Sequence, residues 1–172
     1  LSDLVAAIRA VRTPPLLVAV DHEGGRVQRF RDGFTAIPPM RDLGRAYDRD
    51  ADAAKSLAQT AGWMVASELR AMDIDLSFSP CVDLDWGVSE IIGNRAFHRS
   101  PTVVADLASE FCRGLREGGM SSVAKHFPGH GAVVPDSHEQ LPVDRRSYGD
   151  LLDDMRPYER LIGTRRLAGV ML

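Results

Sequence analysis

The chain has 172 residues, of which 44% are hydrophobic and 26% are charged, a composition typical of one globular domain with a single apolar core. The formal charge is -3 at pH 7 and basic residues are dispersed among acidic ones, so nucleic acid is not an expected partner. No apolar run approaches the roughly 20 residues that cross a bilayer, so we expect no membrane partner and a cytoplasmic location.

Apolar spacing and helix-breaking residues predict alternating helices and strands. Ser2 and Asp3 can cap an amphipathic helix that ends at Pro14. The apolar run Leu16–Val20 is typical of a strand covered on both faces, and a loop rich in Gly and Pro follows it. The other predicted elements are a helix over 51–72, a strand over 74–79, a helix from Ser100 to Gly118, a strand over 121–124, a helix over 147–162 and a strand over 167–172.

Four alternations of strand and helix favour βαβ units in a parallel α/β sheet. The loops after the strands are long and rich in charge, so functional residues are expected at the carboxyl ends of the strands. Periodicity leaves open both a doubly wound sheet and a (β/α)8 barrel. A barrel takes about 250 residues, so we interpret residues 1–172 as one partial barrel domain, cut at both ends.

The first polar motif, Asp21–Arg29, directly follows the first predicted strand. A carboxylate at a strand tip can accept hydrogen bonds from a polyol, and the two glycines of the motif allow its backbone to approach a ligand. A solvated turn held by a salt bridge explains the same residue types equally well. Arg95, after the second strand, offers a rigid fork of donors but is weak evidence by itself.

Three histidines follow the third predicted strand: His126, His130 and His138. Since imidazole titrates near neutrality, such a cluster indicates either proton transfer or metal binding. The four-residue spacing of His126 and His130 is that of a helical zinc pair. Pro128-Gly129 lies between them and makes a helix improbable, so the spacing is not evidence for a helical zinc pair.

Asp136 precedes His138 by two residues on a segment with no predicted helix or strand. Its carboxylate can hold the imidazole tautomer and support the protonated ring, which makes His138 a candidate proton donor and acceptor. A surface Asx-turn beside an unrelated histidine is the alternative. Other acidic residues are interpreted as structural: Asp83 and Asp85, which can orient neighbouring cations, and Asp153-Asp154, predicted to lie on a solvated helix face.

Taken together, three motifs, namely Val20–Phe30, Ile92–Arg95, and Lys125–Gly131 with the Asp136–His138 that follows it, resemble the successive signatures of the family 3 β-N-acetylglucosaminidases, bacterial glycoside hydrolases of cell-wall recycling. Three such motifs in the right order, each after a predicted strand, seldom arise by chance. The resemblance implies a (β/α)8 barrel and a monomeric enzyme without metal or other cofactor. It also implies that the enzyme removes terminal non-reducing N-acetylglucosamine from peptidoglycan-derived muropeptides with retention of configuration.

The resemblance also implies a role for individual residues. A His/Asp dyad takes the place of the second carboxylic acid that most retaining glycosidases use, on a loop that Gly129, Gly131 and Pro135 would allow to close. The matched positions are Asp21, Arg29, Arg95, Lys125 and His126 for sugar binding, with the first four expected to be buried, His138 as general acid/base and Asp136 as its partner.

One part of the family pattern is missing, because the nucleophilic aspartate belongs to a Ser-Asp-Asp stretch that these 172 residues do not contain. We therefore expect them to hydrolyse glycosides poorly or not at all on their own. Two other functions stay open. They are a noncatalytic sugar-binding module using Asp21, Arg29, Arg95 and Lys125, and a metal-dependent hydrolase using His126, His130 and His138.

Overall fold

The computed structural model describes residues 1–134, 141, 143–164 and 166–172. Within these ranges, short strands alternate with helices along the chain. None of the helices in these ranges combines the length and the apolar character that a membrane span requires. The elements are α1 (Ser2–Arg9), β1 (Ala19–Val20), β2 (His22–Gly24), β3 (Val27–Gln28), α2 (Met40–Tyr47), α3 (Ala51–Ala71), β4 (Leu76–Ser77), a 3₁₀ turn (Gly93–Arg95), α4 (Pro101–Glu117), β5 (Ser121–Ala124), α5 (Tyr148–Gly163) and β6 (Gly169–Val170).

The main sheet has four parallel strands in the order β1-β4-β5-β6, so each new strand lies beside the one before it. A doubly wound sheet reverses its strand order at a switch point, whereas a barrel adds strands in sequence. The strand order therefore decides between the two folds that periodicity left open. The chain forms an arc of a (β/α)8-type barrel, incomplete in these residues.

The three long helices begin where capping chemistry predicts. Asp50 accepts hydrogen bonds from backbone N–H groups in the first turn of α3. Ser147 and Asp150 form a reciprocal capping box at the start of α5. Pro101 occupies the first turn of α4, where its missing N–H costs nothing, although the Ser100 side chain makes no capping bond. The predictions for these three helices are confirmed within one or two residues.

The first helix and strand depart from prediction. α1 ends at Arg9, well before Pro14, and the Arg9 guanidinium pairs with Asp75 at 2.7 Å. Only Ala19–Val20 pair as a strand, and Leu17 is 77% exposed. The expectation of a strand covered on both faces is therefore wrong, because Ala19 is exposed and Val20 is only partly buried among the described residues.

The segment predicted as a loop holds two elements that periodicity missed. β2 and β3 form a short antiparallel hairpin, whose turn uses Gly24 and Gly25 at positive φ. A Cβ on Gly24 would lie 2.8 Å from the Ile37 side chain, so this position has no room for a larger residue. The segment then continues to α2, whose buried Met40 and Leu43 join the core.

The apolar core lies between the sheet and the helices α3 and α4. A Cβ on Gly62 would overlap the Phe111 carbonyl oxygen, and one on Gly114 would overlap the Gln59 carbonyl oxygen. The two helix backbones therefore touch at glycines. Buried core residues around this contact include Val65, Leu69, Leu107, Phe111 and Leu115.

Candidate active site

A cavity of about 430 Å³ opens at the carboxyl ends of the strands, within the size range of small-molecule sites. Its polar lining comes from the turn after β1, the end of the hairpin, the 3₁₀ turn and the segment after β5. All five residues predicted from the sequence to bind sugar line this one cavity: Asp21, Arg29, Arg95, Lys125 and His126.

Lys125 is the most deeply buried cation of the cavity, with a side chain only 2% exposed. Its Nζ lies 2.6 Å from Asp21 Oδ1 and 2.5 Å from Glu23 Oε1. Glu23 is also 2% exposed, whereas the Asp21 side chain is 37% exposed. A buried ammonium group is tolerated only when it is paired in this way, so the two carboxylates neutralise it and hold its direction.

Glu23 also binds the guanidinium group of Arg95 through two hydrogen bonds. Arg95 Nε donates to Oε2 at 3.0 Å and Nη2 donates to Oε1 at 2.9 Å. Burial by itself would lower the pKa of Arg95, but the hydrogen bonds to Glu23 and nearby negative charge outweigh it, so the pKa is raised and the cation stays charged.

Glu23 thus joins Lys125 and Arg95, and sequence reasoning did not single it out. Its signal was its position two residues after Asp21, since alternate residues of an extended segment point to the same face. A buried glutamate within a motif that already supplies one carboxylate is the second anion that two buried cations require.

His126 is held by Asp83, a fully buried carboxylate. The ring Nδ1 lies 2.7 Å from Asp83 Oδ2, and the backbone N–H groups of His126 and His130 also donate to this carboxylate. Burial by itself would raise the pKa of Asp83, but the hydrogen bonds from His126 and His130 outweigh it and hold the pKa below its ordinary value. The expectation that Asp83 is structural and orients a neighbouring group agrees with this geometry.

The second ring nitrogen of His126 faces Arg95, with Nε2 3.3 Å from Nη2. An imidazole with its proton on Nδ1 fits both contacts, donating to Asp83 and accepting from Arg95. A continuous polar chain therefore runs from Asp21 through Lys125, Glu23, Arg95 and His126 to Asp83.

Among the described residues, one group of three ligand atoms lies close enough together to hold a metal ion, on Cys81, Asp83 and His126. The Cys81 thiol donates to Asp83 at 3.2 Å, and burial raises its pKa well above the ordinary value. We interpret the group as the hydrogen-bonded support of His126, because its carboxylate is already shared by four donors. Both cysteines, Cys81 and Cys112, are free and buried.

Two expectations about exposure need correction. Arg29 is exposed and Asp21 is partly exposed, so the predicted burial of the sugar-binding set holds fully only for Lys125. Asp154, predicted to lie on a solvated helix face, is 1% exposed and accepts a hydrogen bond from Trp86 Nε1 at 2.9 Å. Asp154 is buried because α5 turns this side toward the segment after β5.

The glycines after β5 leave no room for a side chain. A Cβ on Gly129 would lie 2.6 Å from the Asp154 Cβ, and one on Gly131 would overlap the Leu84 carbonyl oxygen. Both positions therefore require glycine for packing, and their expected part in loop closure stays a prediction. Three further predicted residues, Pro135, Asp136 and His138, lie outside the described residues.

Comparison with known proteins agrees with this geometry. Residues 1–172 match the family described as glycosyl hydrolase family 3 N terminal domain. The chain is 56% identical over 171 residues to the β-hexosaminidase of Thioalkalivibrio sulfidiphilus, covering 99% of this chain and 49% of that protein. It therefore spans about half the length of the curated relatives it matches.

Solved structures show the same relationship. The crystal structure of NagZ from Neisseria gonorrhoeae in complex with N-trifluoroacetyl-D-glucosamine is 52% identical with a TM-score of 0.92, covering 99% of this chain and 50% of that chain. A family 3 β-N-acetylglucosaminidase from a Paenibacillus species is 32% identical with a TM-score of 0.88, covering 98% and 32% respectively. The match along the whole chain confirms the family resemblance read from the motifs: the chain belongs to glycosyl hydrolase family 3, within its N-terminal domain.

Proposed function

We propose that the complete protein containing this chain is a retaining β-N-acetylhexosaminidase that removes terminal non-reducing N-acetylglucosamine from peptidoglycan-derived muropeptides. The observation that carries the proposal is the single cavity at the strand ends, around which Asp21, Arg29, Arg95, Lys125 and His126 converge. The relatives named β-hexosaminidase, and the NagZ crystallised with an acylated glucosamine, support it.

The ion-pair network is suited to holding a polyol. The Lys125 ammonium carries three protons and faces two carboxylates, so a third N–H is available for a sugar hydroxyl. Asp21 is exposed enough to accept a hydrogen bond from a sugar hydroxyl, and Arg29 lies on the cavity wall as a further donor. Because the buried partners are already in place, binding energy goes into orienting the anomeric carbon rather than into ordering side chains.

Proton transfer is assigned to His138, supported by Asp136, on the basis of the sequence motif. The protonated imidazole would deliver a proton to the leaving oxygen, and the neutral ring that results would later withdraw one from the attacking water. The covalent step requires an aspartate nucleophile from the family's Ser-Asp-Asp stretch, which is not among these 172 residues. We propose that these residues form a partial barrel domain and supply the sugar-binding wall and the acid/base dyad.

We further infer that the protein acts as a monomer in the cytoplasm. Two free, buried cysteines, Cys81 and Cys112, are compatible with a reducing compartment, in which disulfides are rare.

The test compares release of p-nitrophenol from p-nitrophenyl N-acetyl-β-glucosaminide by the complete protein and by residues 1–172 alone. We expect turnover by the complete protein only, because the nucleophile is needed for the glycosyl-enzyme. His138→Ala in the complete protein should lower kcat by about 100-fold or more. The exposed Asp153→Asn serves as the matched control and should leave kcat unchanged.

Other results would favour the other functions. Binding of N-acetylglucosamine by the complete protein without any turnover would indicate a sugar-binding module. Loss of turnover on treatment with a chelator, restored by added zinc, would indicate a metal-dependent hydrolase.

A further inference from the structure

His130 is a buried imidazole that the proposed function leaves without a task. Its side chain lines the same cavity as Arg95, Lys125 and His126, and the residue is only 8% exposed. Neither of its ring nitrogens has a hydrogen-bond partner among the residues that the structure describes. A buried polar group without a partner costs free energy. Its presence in a cavity wall therefore indicates that a ligand supplies the missing hydrogen bonds.

The main chain holds the His130 ring in place. The His130 backbone N–H donates to Asp83 at 2.7 Å, and the adjacent Gly131 packs against the Leu84 carbonyl group. The ring lies edge-on to that of His126, with centroids 6.0 Å apart, so the two imidazoles do not hydrogen-bond to each other. The ring is therefore held in the cavity wall, with neither of its nitrogens bonded to a described neighbour.

A second buried histidine shows that burial alone does not define such a site. His22 also lacks hydrogen-bond partners for its ring nitrogens within the described part of the chain. Its ring lies against Phe30 and Phe34, with centroids 5.9 and 5.7 Å away, and it does not line the cavity. His22 is an apolar packing residue, whereas His130 belongs to the wall of the cavity.

We propose that His130 is an additional ligand-binding residue, whose ring hydrogen-bonds to a hydroxyl or amide group of the aminosugar in the cavity. A neutral imidazole offers one donor and one acceptor, which suits both of these groups. The inference rests on the proposed function, since it takes the occupant of the cavity to be an aminosugar.

The test measures binding of N-acetylglucosamine to the complete protein by calorimetry, with urea unfolding of each variant alongside. His130→Phe keeps the ring shape but removes both nitrogens, so the affinity should fall about 5- to 10-fold while the unfolding midpoint is maintained or rises. The control Tyr158→Phe removes a buried hydroxyl that is also unpartnered among the described residues but lies outside the cavity wall. It should leave the affinity unchanged.

Two further variants identify the atom and keep the test decisive if His130→Phe does not fold. Asn places its amide near the position of Nδ1 and Gln near that of Nε2, so one of His130→Asn and His130→Gln should keep most of the affinity and the other should lose it. Repeating the titrations with glucose separates the two groups, because a contact to the amide predicts no effect of His130→Phe on glucose binding.

The inference is overturned if His130→Phe, or both amide variants, bind N-acetylglucosamine as the unchanged protein does. If the unchanged protein hydrolyses the glycoside in that case, the proposed function survives. If the unchanged protein neither binds nor cleaves N-acetylglucosaminides, both fail.

Discussion

The two ends of this domain's core bury different kinds of side chain, apolar at one end and charged at the other. Where α3 meets α4, backbones touch at Gly62 and Gly114, and the surrounding side chains are apolar. At the carboxyl ends of the strands, Glu23, Lys125 and Asp83 are almost fully buried, with Glu23 paired to Lys125 and Asp83 to His126. The helical region gains stability from close packing. In the charged region the buried cations are paired with buried carboxylates, but this ion pairing adds little to the free energy of unfolding.

This difference indicates which region serves function. Replacing a buried ion pair by apolar groups of similar volume is often neutral or stabilising, so stability alone does not explain why Glu23 and Lys125 are charged. Pairing keeps the side chains in place, while the remaining donors and the exposed face of Asp21 stay available to a ligand. Three predictions test this contrast in the complete protein.

The largest effect is expected for Glu23→Gln, which leaves Lys125 and Arg95 buried without their shared counter-ion. Unfolding free energy should fall by about 3–5 kcal/mol, and kcat/KM should fall at least about 100-fold. Urea denaturation and steady-state kinetics measure the two effects. Asp42→Asn, which breaks an exposed pair with Arg45, is the control and should cost less than about 1 kcal/mol. Equal losses in the two variants would contradict the role given to Glu23.

An intermediate effect is expected for Gly114→Ala in the helical region, because the new Cβ would overlap the Gln59 carbonyl oxygen. The helices would have to separate, which should cost about 1–3 kcal/mol without changing kcat/KM of the folded protein. Gly163→Ala is the matched control, since nothing lies within 4 Å of its Cβ position, and it should stabilise by about 0.4–1 kcal/mol. If the change in kcat/KM of Gly114→Ala, expressed as a free energy, were as large as its loss of unfolding free energy, the two regions would be coupled.

The smallest effect concerns two buried carboxylates whose pKa values shift in opposite directions. The pKa of Asp83 is lowered, so its contribution to stability is complete above the unfolded value and is lost as pH falls through the folded value. Burial raises the pKa of Asp154 despite its contacts with Trp86 and Arg146, so its contribution is complete below the unfolded value and is lost as pH rises through the folded value.

Asp83→Asn should therefore destabilise more at about pH 7 than at about pH 3, by about 1 kcal/mol. Asp154→Asn should show the opposite trend. Relative to the unchanged protein, its unfolding free energy should be more favourable at about pH 7 than at about pH 3. Urea unfolding of each variant across this pH range measures both trends, with each variant serving as the other's control. Parallel pH trends in the two variants would refute the assigned directions.

Sequence reasoning succeeded where the signal is local. The helices α3, α4 and α5 and the strand β5 follow from apolar spacing and capping residues within a few positions of each boundary. It failed for the β2–β3 hairpin, whose strands are two or three residues long and whose turn depends on Gly24 packed against Ile37. It also missed α2, whose eight residues follow Pro38 and Pro39 in a segment that its Gly and Pro content predicted to be a loop.

The residue types and their order along the chain determined the family, the alternation of strand and helix, and the cavity residues Asp21, Arg29, Arg95, Lys125 and His126. Only the tertiary structure decided that Glu23 joins Lys125 to Arg95, that Asp83 holds His126, and that Asp154 is buried. The physical reason is distance along the chain. Local spacing fixes which face of an element a residue occupies, whereas the pairing of buried charges depends on which strands lie side by side.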